Sequence, residues 1–290
     1  MAVEPKRFEE KQWRKPVRYL KEGFYVFFGR LMRYMSLYLD YPRNPVFIVG
    51  CPRSGTSIFN KMIAECTEVA DFSEAIYIWE PRDRDGSRDH VKVAEDVKKE
   101  DENRIKGAFG FYQLLRRKRI FVNKCPRSSV RISFIKKIFP QAKFIHVYRD
   151  GRAVVNSIIS ITEREEFRKR IPLGGFCKPS NWRDLLDMVP TERHAHQWLE
   201  IMRGLNHAAN SSDKDMWLDV SYEEFCANPS EIMKQAFNFI DIQPTEKLLD
   251  DIQRMPLSHN EKWRKKFSLE DLELMNEIMK EQLDVYGYQL

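Results

Sequence analysis

The chain has no run of about 18 apolar residues, the least a helix needs to cross a bilayer, so no membrane span is expected. It has no C-x-x-C pair. Its five cysteines (Cys51, Cys66, Cys125, Cys177, Cys226) are an odd set at unrelated spacings, which argues against a zinc site or a disulfide scaffold. They read as free thiols in a reducing compartment, and a cytoplasmic location is expected. The first ten residues, Met1 to Glu10, are charged and lack the apolar core of a secretory signal. Arginine-rich arrays interleaved with aromatics are absent too, so the formal charge of +6 points to a small polyanionic ligand and not to nucleic acid. Neither an internal repeat nor a low-complexity tract interrupts the 290 residues.

What is present begins with Val46-Phe-Ile-Val-Gly-Cys-Pro-Arg-Ser-Gly-Thr-Ser-Ile-Phe59. A β-branched apolar run predicts a buried strand ending at Val49. A glycine-bearing loop follows, and then Ile58, Phe59, Met62, Ile63 and Cys66 recur at helical spacing. Strand, tight loop and helix aim backbone N–H groups and the positive end of a helix at an anion. Gly50, Gly55 and Ser57 keep the register of the P-loop pattern G-x-x-x-x-G-K-[ST], but Thr56 stands where the lysine belongs. That lysine reaches the β/γ-phosphates of a triphosphate, so its loss argues against a kinase or an ordinary ATPase. Arg53 puts a forked cation inside the loop instead.

The segment Pro52-Arg-Ser-Gly-Thr-Ser57 resembles the 5′-phosphosulfate loop of the sulfotransferases that use 3′-phosphoadenosine 5′-phosphosulfate (PAPS). A second stretch, Lys143 to Ser157, places Arg149 at a strand end and Ser157 eight residues later on the following helix. A guanidinium and a hydroxyl so placed can clamp one phosphate. In that family the same pairing holds the 3′-phosphate. Asn123-Lys124-Cys125-Pro126-Arg127 is similar to the family's lysine-bearing strand end, where the ammonium approaches the oxygen bridging phosphate and sulfonate. The histidine base of the phenol- and steroid-sulfonating members is replaced by Pro126, so the resemblance is to the bacterial and tyrosylprotein branch. That branch implies an acidic base soon after the loop helix, a place occupied by Glu74, with Glu80 as its rival.

Asp219-Val-Ser-Tyr222 to Pro229 resembles the family segment in which a tyrosine lies against adenine, and Tyr222 is the expected contact. The tryptophan common just after the phosphate loop is replaced by Ile58. Glu261-Lys-Trp-Arg264-Lys-Lys-Phe-Ser268 is similar to a late basic segment. The family's arginine-lysine-glycine triplet is missing, which makes Arg264 and Lys265 the candidates for its charge. Ser54, Gly55, Thr56 and Ser57, with Arg53, complete the expected nucleotide-binding set. No metal is expected, because a sulfonate carries less charge than a γ-phosphoryl group.

Around these motifs, apolar strands at 120–124, 143–148 and 216–220, and a short one at 69–72, alternate with helical patterns. The expected fold is α/β: a P-loop-type parallel sheet flanked by helices on both faces, over residues 42–290. Within it, a helix is expected from Arg104 to Leu115, one capped by Ser128 through Phe139, one capped by Asp150 to Ile161, and others at 191–209, 229–239 and 244–252. A last helix opens on a Ser268/Asp271 capping box. Asp83–Arg104 reads as an exposed, charged loop with room for one helix, and Arg164–Pro190 as an irregular lid. His146 reads as a packed strand residue and the other five histidines as solvated or structural. Residues 1–41 form a basic amphipathic helical segment whose positions 24, 27, 28, 31, 35 and 38 make a stripe. The stripe suits packing on the domain, with a membrane-surface or partner helix as the alternative. The expected activity is sulfonate transfer from PAPS to a hydroxyl or amine of a small-molecule, glycan, lipid or peptide acceptor. A P-loop kinase and a non-catalytic nucleotide-binding protein are the alternatives.

Overall fold

A computed structural model describes residues 19–31, 42–81, 88–255 and 262–290. Strands β1 (Pro45–Val49), β2 (Val69–Asp71), β3 (Ile120–Lys124), β4 (Lys143–Tyr148) and β5 (Trp217–Ser221) form one sheet in the order β2-β3-β1-β4-β5. Every pairing is parallel. The apolar strand sequences follow from burial on both sides. Phe47, Val49, Phe121 and Phe144 point to one face, while Val46, Ile48, Val122 and Ile145 point to the other.

The first face is covered by α4 (Lys99–Arg116), α5 (Ile132–Ile138), α6 (Gly151–Arg164), α8 (Pro190–Asn210) and α12 (Leu269–Val285). Against the second pack α2 (Thr56–Ala64), α9 (Tyr222–Ala227), α10 (Pro229–Phe239) and α11 (Glu246–Gln253). Two short helices, α3 (Ile76–Trp79) and α7 (Glu166–Lys169), lie in the connections. The strand order reverses around β1, whose neighbours are β3 and β4. In open α/β sheets ligands bind in the crevice at such a reversal, outside the carboxyl ends of the strands.

Most expected helices form where periodicity and capping place them. Asp150 accepts the N–H of Arg152 at the start of α6, and Ser268 and Asp271 form the reciprocal box that opens α12. Several details differ, among them the end of α6, which runs on to Arg164 past the expected Ile161. Ser128 caps nothing: it lies buried in a 3-10 turn (Pro126–Val130), and α5 starts at Ile132 without a side-chain cap. Helix α4 begins at Lys99, not Arg104, because Glu100, Asp101 and Glu102 favour the positive end of a helix and Glu102 pairs with both Lys99 and Lys106. Helix α11 begins at Glu246 behind a Thr245 cap. The 164–190 segment, read as irregular, contains α7 and a 3-10 turn (Pro172–Gly175).

Residues 19–31 form a helix, α1. It packs on α4, with Phe28 stacked on Phe111 at 5.6 Å and Tyr25 edge-on to Tyr112 at 5.2 Å. The expected stripe does not face the core as a unit, because Phe24, Phe27 and Leu31 are exposed. Trp13, Met35, Tyr38, Asp83, Gly86 and His259 lie outside the described residues.

Candidate functional site

The loop from β1 to α2 is shaped by two glycines. Gly50 has φ +151, and a Cβ there would run into the Val147 carbonyl of β4. Gly55 has φ +94, and a Cβ would enter the ring of Tyr222. Gly55 is also the N-cap of α2, so no side chain caps the helix. The N–H groups of Thr56 and Ser57 have no intrahelical acceptor and remain available to an anion. Ser54 closes the turn through its N–H to the Cys51 carbonyl at 3.1 Å, while its buried hydroxyl has no partner. An empty cap, first-turn donors and an unpaired hydroxyl are the donor set that a phosphate-type group requires.

The second grip meets the first. The register aligns Tyr148 with Ser221, so Arg149 and Tyr222 leave neighbouring strands side by side. The Arg149 guanidinium lies 4.4 Å above the Tyr222 ring and donates to the Arg53 carbonyl at 3.1 Å. Arg53 donates from Nε to Ser157 Oγ at 3.1 Å. Arg53, Arg149, Ser157, Gly55 and Tyr222 therefore form one contiguous cluster at the carboxyl ends of β1, β4 and β5. Burial, together with the cations Arg168, Arg149 and Arg164, pulls the pKa of Arg53 below its usual value, against the opposing Glu165 carboxylate. Crowded guanidinium groups of this kind repel one another and favour an anion between them.

At the neighbouring strand end, Lys124 Nζ contacts Glu74 Oε1 at 2.8 Å. The Lys124 side chain is buried, whereas that of Glu74 is 41% exposed. Glu74 adopts φ +57, unusual for a residue with a side chain, and its N–H donates to the Lys124 carbonyl at 2.6 Å. An open groove of about 500 Å³ borders Ser57, Asn60, Asp71, Ser73, Glu74 and Lys124, joining the phosphate loop to this pair. Glu80 is built differently. It is buried and accepts from both Arg127 and Arg131. Burial raises its pKa, but Arg131 and Arg127 outweigh that and hold it below the ordinary carboxylate value. Occupied in this way, Glu80 is a structural anion and Glu74 is the accessible one.

Arg264 and Lys265 are exposed on a 3-10 turn (Lys262–Lys265). Their neighbour Lys266 is the residue that reaches α6, donating to Ser160 Oγ at 3.0 Å. His146 is buried and bonds Asp219 at 2.7 Å, as a packed strand residue should. Sequence reasoning missed Arg164 and Arg168, whose proximity to Arg53 depends on how the 164–176 segment folds back. It also missed Ser129, whose hydroxyl accepts the Gly50 N–H at 2.9 Å and donates to the Gly50 carbonyl at 2.8 Å. No local pattern marks Ser129, because its partner is 79 residues away.

Comparison with known proteins is consistent with this architecture. A family profile described as the sulfotransferase family matches residues 45–246. Protein-tyrosine sulfotransferase A of Caenorhabditis elegans is 28% identical over 217 residues, covering 70% of this chain and 51% of that protein. The Mycobacterium bovis omega-hydroxy-beta-dihydromenaquinone-9 sulfotransferase Stf3 is 25% identical over 175 residues, covering 60% of this chain and 42% of that protein. The chain thus spans about half the length of the curated relatives it matches. Among solved structures, sulfotransferase STF9 of Mycobacterium avium aligns with a TM-score of 0.59 at 14% identity, over 90% of this chain and 81% of that one. The sulfotransferase domain of the curacin biosynthetic pathway aligns with a TM-score of 0.56 at 14% identity, over 84% of this chain and 98% of that one. At these identities the structural likeness is one of fold.

Proposed function

The chain belongs to the sulfotransferase family, and from that premise we propose that it moves a sulfonate group from PAPS to an acceptor hydroxyl or amine, releasing adenosine 3′,5′-bisphosphate. The reading rests on one observation above the others: Arg149 bonds the carbonyl of Arg53 while Arg53 bonds Ser157. That contact supports two phosphate grips lying side by side, and the groove at Ser57 leads from them to the Glu74–Lys124 pair. In this reading Arg53 and the N–H groups of Ser57 and its neighbours hold the 5′-phosphosulfate. Arg149 and Ser157 hold the 3′-phosphate, and Tyr222 borders the nucleotide.

The reaction is an in-line displacement. The acceptor oxygen or nitrogen forms a bond to sulfur as the bond from sulfur to the bridging oxygen breaks. The electron pair of that bond stays on the 5′-phosphate. Glu74 takes the acceptor's proton, and Lys124 and Arg53 stabilise the charge that grows on the leaving oxygen. Relatives named for protein tyrosine and for omega-hydroxy-beta-dihydromenaquinone-9 support a hydroxyl on a peptide or on a small lipid-like molecule. Five free, buried cysteines support a reducing compartment such as the cytoplasm.

A thermal-shift comparison of adenosine 3′,5′-bisphosphate, ATP and AMP tests the donor class. The bisphosphate should raise Tm most. A larger shift with ATP would favour the kinase alternative, and no shift with any of the three would remove the nucleotide site.

A further inference from the structure

The apolar surface of α1 is wider than the fold uses, with Phe24 at the margin, 6.0 Å from Phe111 of α4 and 47% exposed. Its inner side is committed. Phe28 and Tyr25 pack on α4, and Gly29 lies so close to the backbone of Gly107 that a Cβ would not fit. The buried Glu22 accepts the N–H groups of Tyr77 and Ile78 at 2.6 and 3.2 Å, holding α1 across the start of α3. On the outer side stand Leu20, Phe24, Phe27 and Leu31, exposed by 76%, 47%, 65% and 44%. At about 100° per residue these four fall within an arc of about 60°, opposite Glu22 and Gly29. Leu20 and Phe27 contribute little to folding at such exposure, and a contiguous outward row of large apolar groups is a contact surface.

The charges beside the row say what it contacts. Lys21 lies on one edge and Arg30 on the other, each about 90° from the stripe's centre, and both are exposed. Basic side chains in these positions extend alongside an apolar face to reach anionic headgroups. By sequence alone, residues 1–33 hold nine Lys and Arg against four Glu, +5 of the chain's +6; of these, Lys21, Glu22 and Arg30 belong to the described helix. The two exposed charges that flank the row on α1 itself are both cationic, and the Arg30 contact with Glu100 of α4 at 3.7 Å is an exposed pair that costs little to exchange for a lipid phosphate.

We propose that the outward face of α1 docks on an anionic lipid surface, with Leu20, Phe24, Phe27 and Leu31 entering the headgroup boundary and Lys21 and Arg30 reaching lipid phosphates. Because α3 begins two residues after Glu74 and lies directly against α1, docking sets that side of the molecule towards the bilayer. On the sulfotransferase reading, this favours an acceptor carried in the membrane.

Vesicle co-sedimentation tests the proposal. Phosphatidylcholine vesicles with about one-third phosphatidylglycerol should bind the protein, and pure phosphatidylcholine should bind it about tenfold less. The double variant Leu20→Ser/Phe27→Ser should lose binding about tenfold or more. Its stabilisation by adenosine 3′,5′-bisphosphate should stay unchanged, which separates docking from the nucleotide site. If that variant misfolds, Phe27→Cys can carry an environment-sensitive fluorophore, since the native thiols are buried; its emission should shift to the blue on anionic vesicles alone. Equal binding to both vesicle types, or none to either, would overturn the proposal. So would self-association of the native chain in light scattering that the double variant abolishes, which would assign the face to a second copy.

Discussion

Replacing Lys124 by methionine keeps the apolar stem of the side chain and removes its charge, which separates catalysis from binding. Lys124 stands at the end of β3 beside Ile48 of β1, and its ammonium contacts Glu74 at 2.8 Å. The stem is buried, so methionine preserves most of the packing. The Glu74 carboxylate is 41% exposed, and water can solvate it when the ammonium is gone. The stability cost should therefore be about 1 kcal/mol after allowance for screening, which lowers Tm by roughly 2–4 °C in a chain of this size. Turnover should fall much further. A preorganised donor aimed at developing charge is worth about 3–4 kcal/mol, or roughly 100- to 1000-fold in kcat. On the proposed function, nucleotide grip comes from other groups, namely the phosphate loop, Arg149 and Ser157. The Kd of adenosine 3′,5′-bisphosphate should change by less than about fivefold, on the order of 1 kcal/mol. Single-turnover sulfonate transfer from labelled PAPS and titration calorimetry with the bisphosphate measure the two quantities. Equal losses in kcat and in product affinity would refute the reasoning and make Lys124 a binding residue.

Gly55→Ala places a methyl group against the Tyr222 ring at φ +94, so bisphosphate affinity should drop by about tenfold or more; unchanged calorimetry would mean that the ring does not set the loop. Ser129→Ala strips the Gly50 N–H and carbonyl of a shared buried partner, at a cost of about 1–3 kcal/mol. The KM for PAPS should rise more than kcat falls, whereas a pure stability loss would move only Tm. His194 is buried, and that burial pushes its pKa from 6.5 down to about 4, with Arg193 adding to the shift and the Gln197 hydrogen bond opposing it. Between those values the unfolded chain takes up a proton that the folded chain refuses. Stability is thus complete above about pH 6.5 and falls as pH drops towards 4, by up to about 3 kcal/mol. A Tm-versus-pH profile of His194→Gln as steep as that of the native chain would refute this.

The amino-acid order alone determined whatever depends on near neighbours. The strand–loop–helix around Gly50 and Gly55, the strand end at Arg149 and the Ser268/Asp271 cap are set within a few residues, where apolar period, turn chemistry and capping act. Arg53 was a candidate from its place inside that loop, and Glu74 from the family resemblance, which implies an acidic base soon after the loop helix. Tertiary structure decided which candidates meet. Lys124 reaches Glu74 across 50 residues and Arg53 reaches Ser157 across 104, because parallel pairing sets β3 and β4 on either side of β1. Which of the two glutamates is accessible was likewise illegible, since Glu80 is closed off by Arg127 and Arg131 only once the 3-10 turn after β3 folds beneath it. The same holds for α1. A helical period shows that a helix has an apolar side, but with apolar residues on two sides the period is silent on which one is buried. Close packing of Gly29 on Gly107 and the Glu22 bonds to α3 settle that choice, and they leave Leu20 and Phe27 facing outwards.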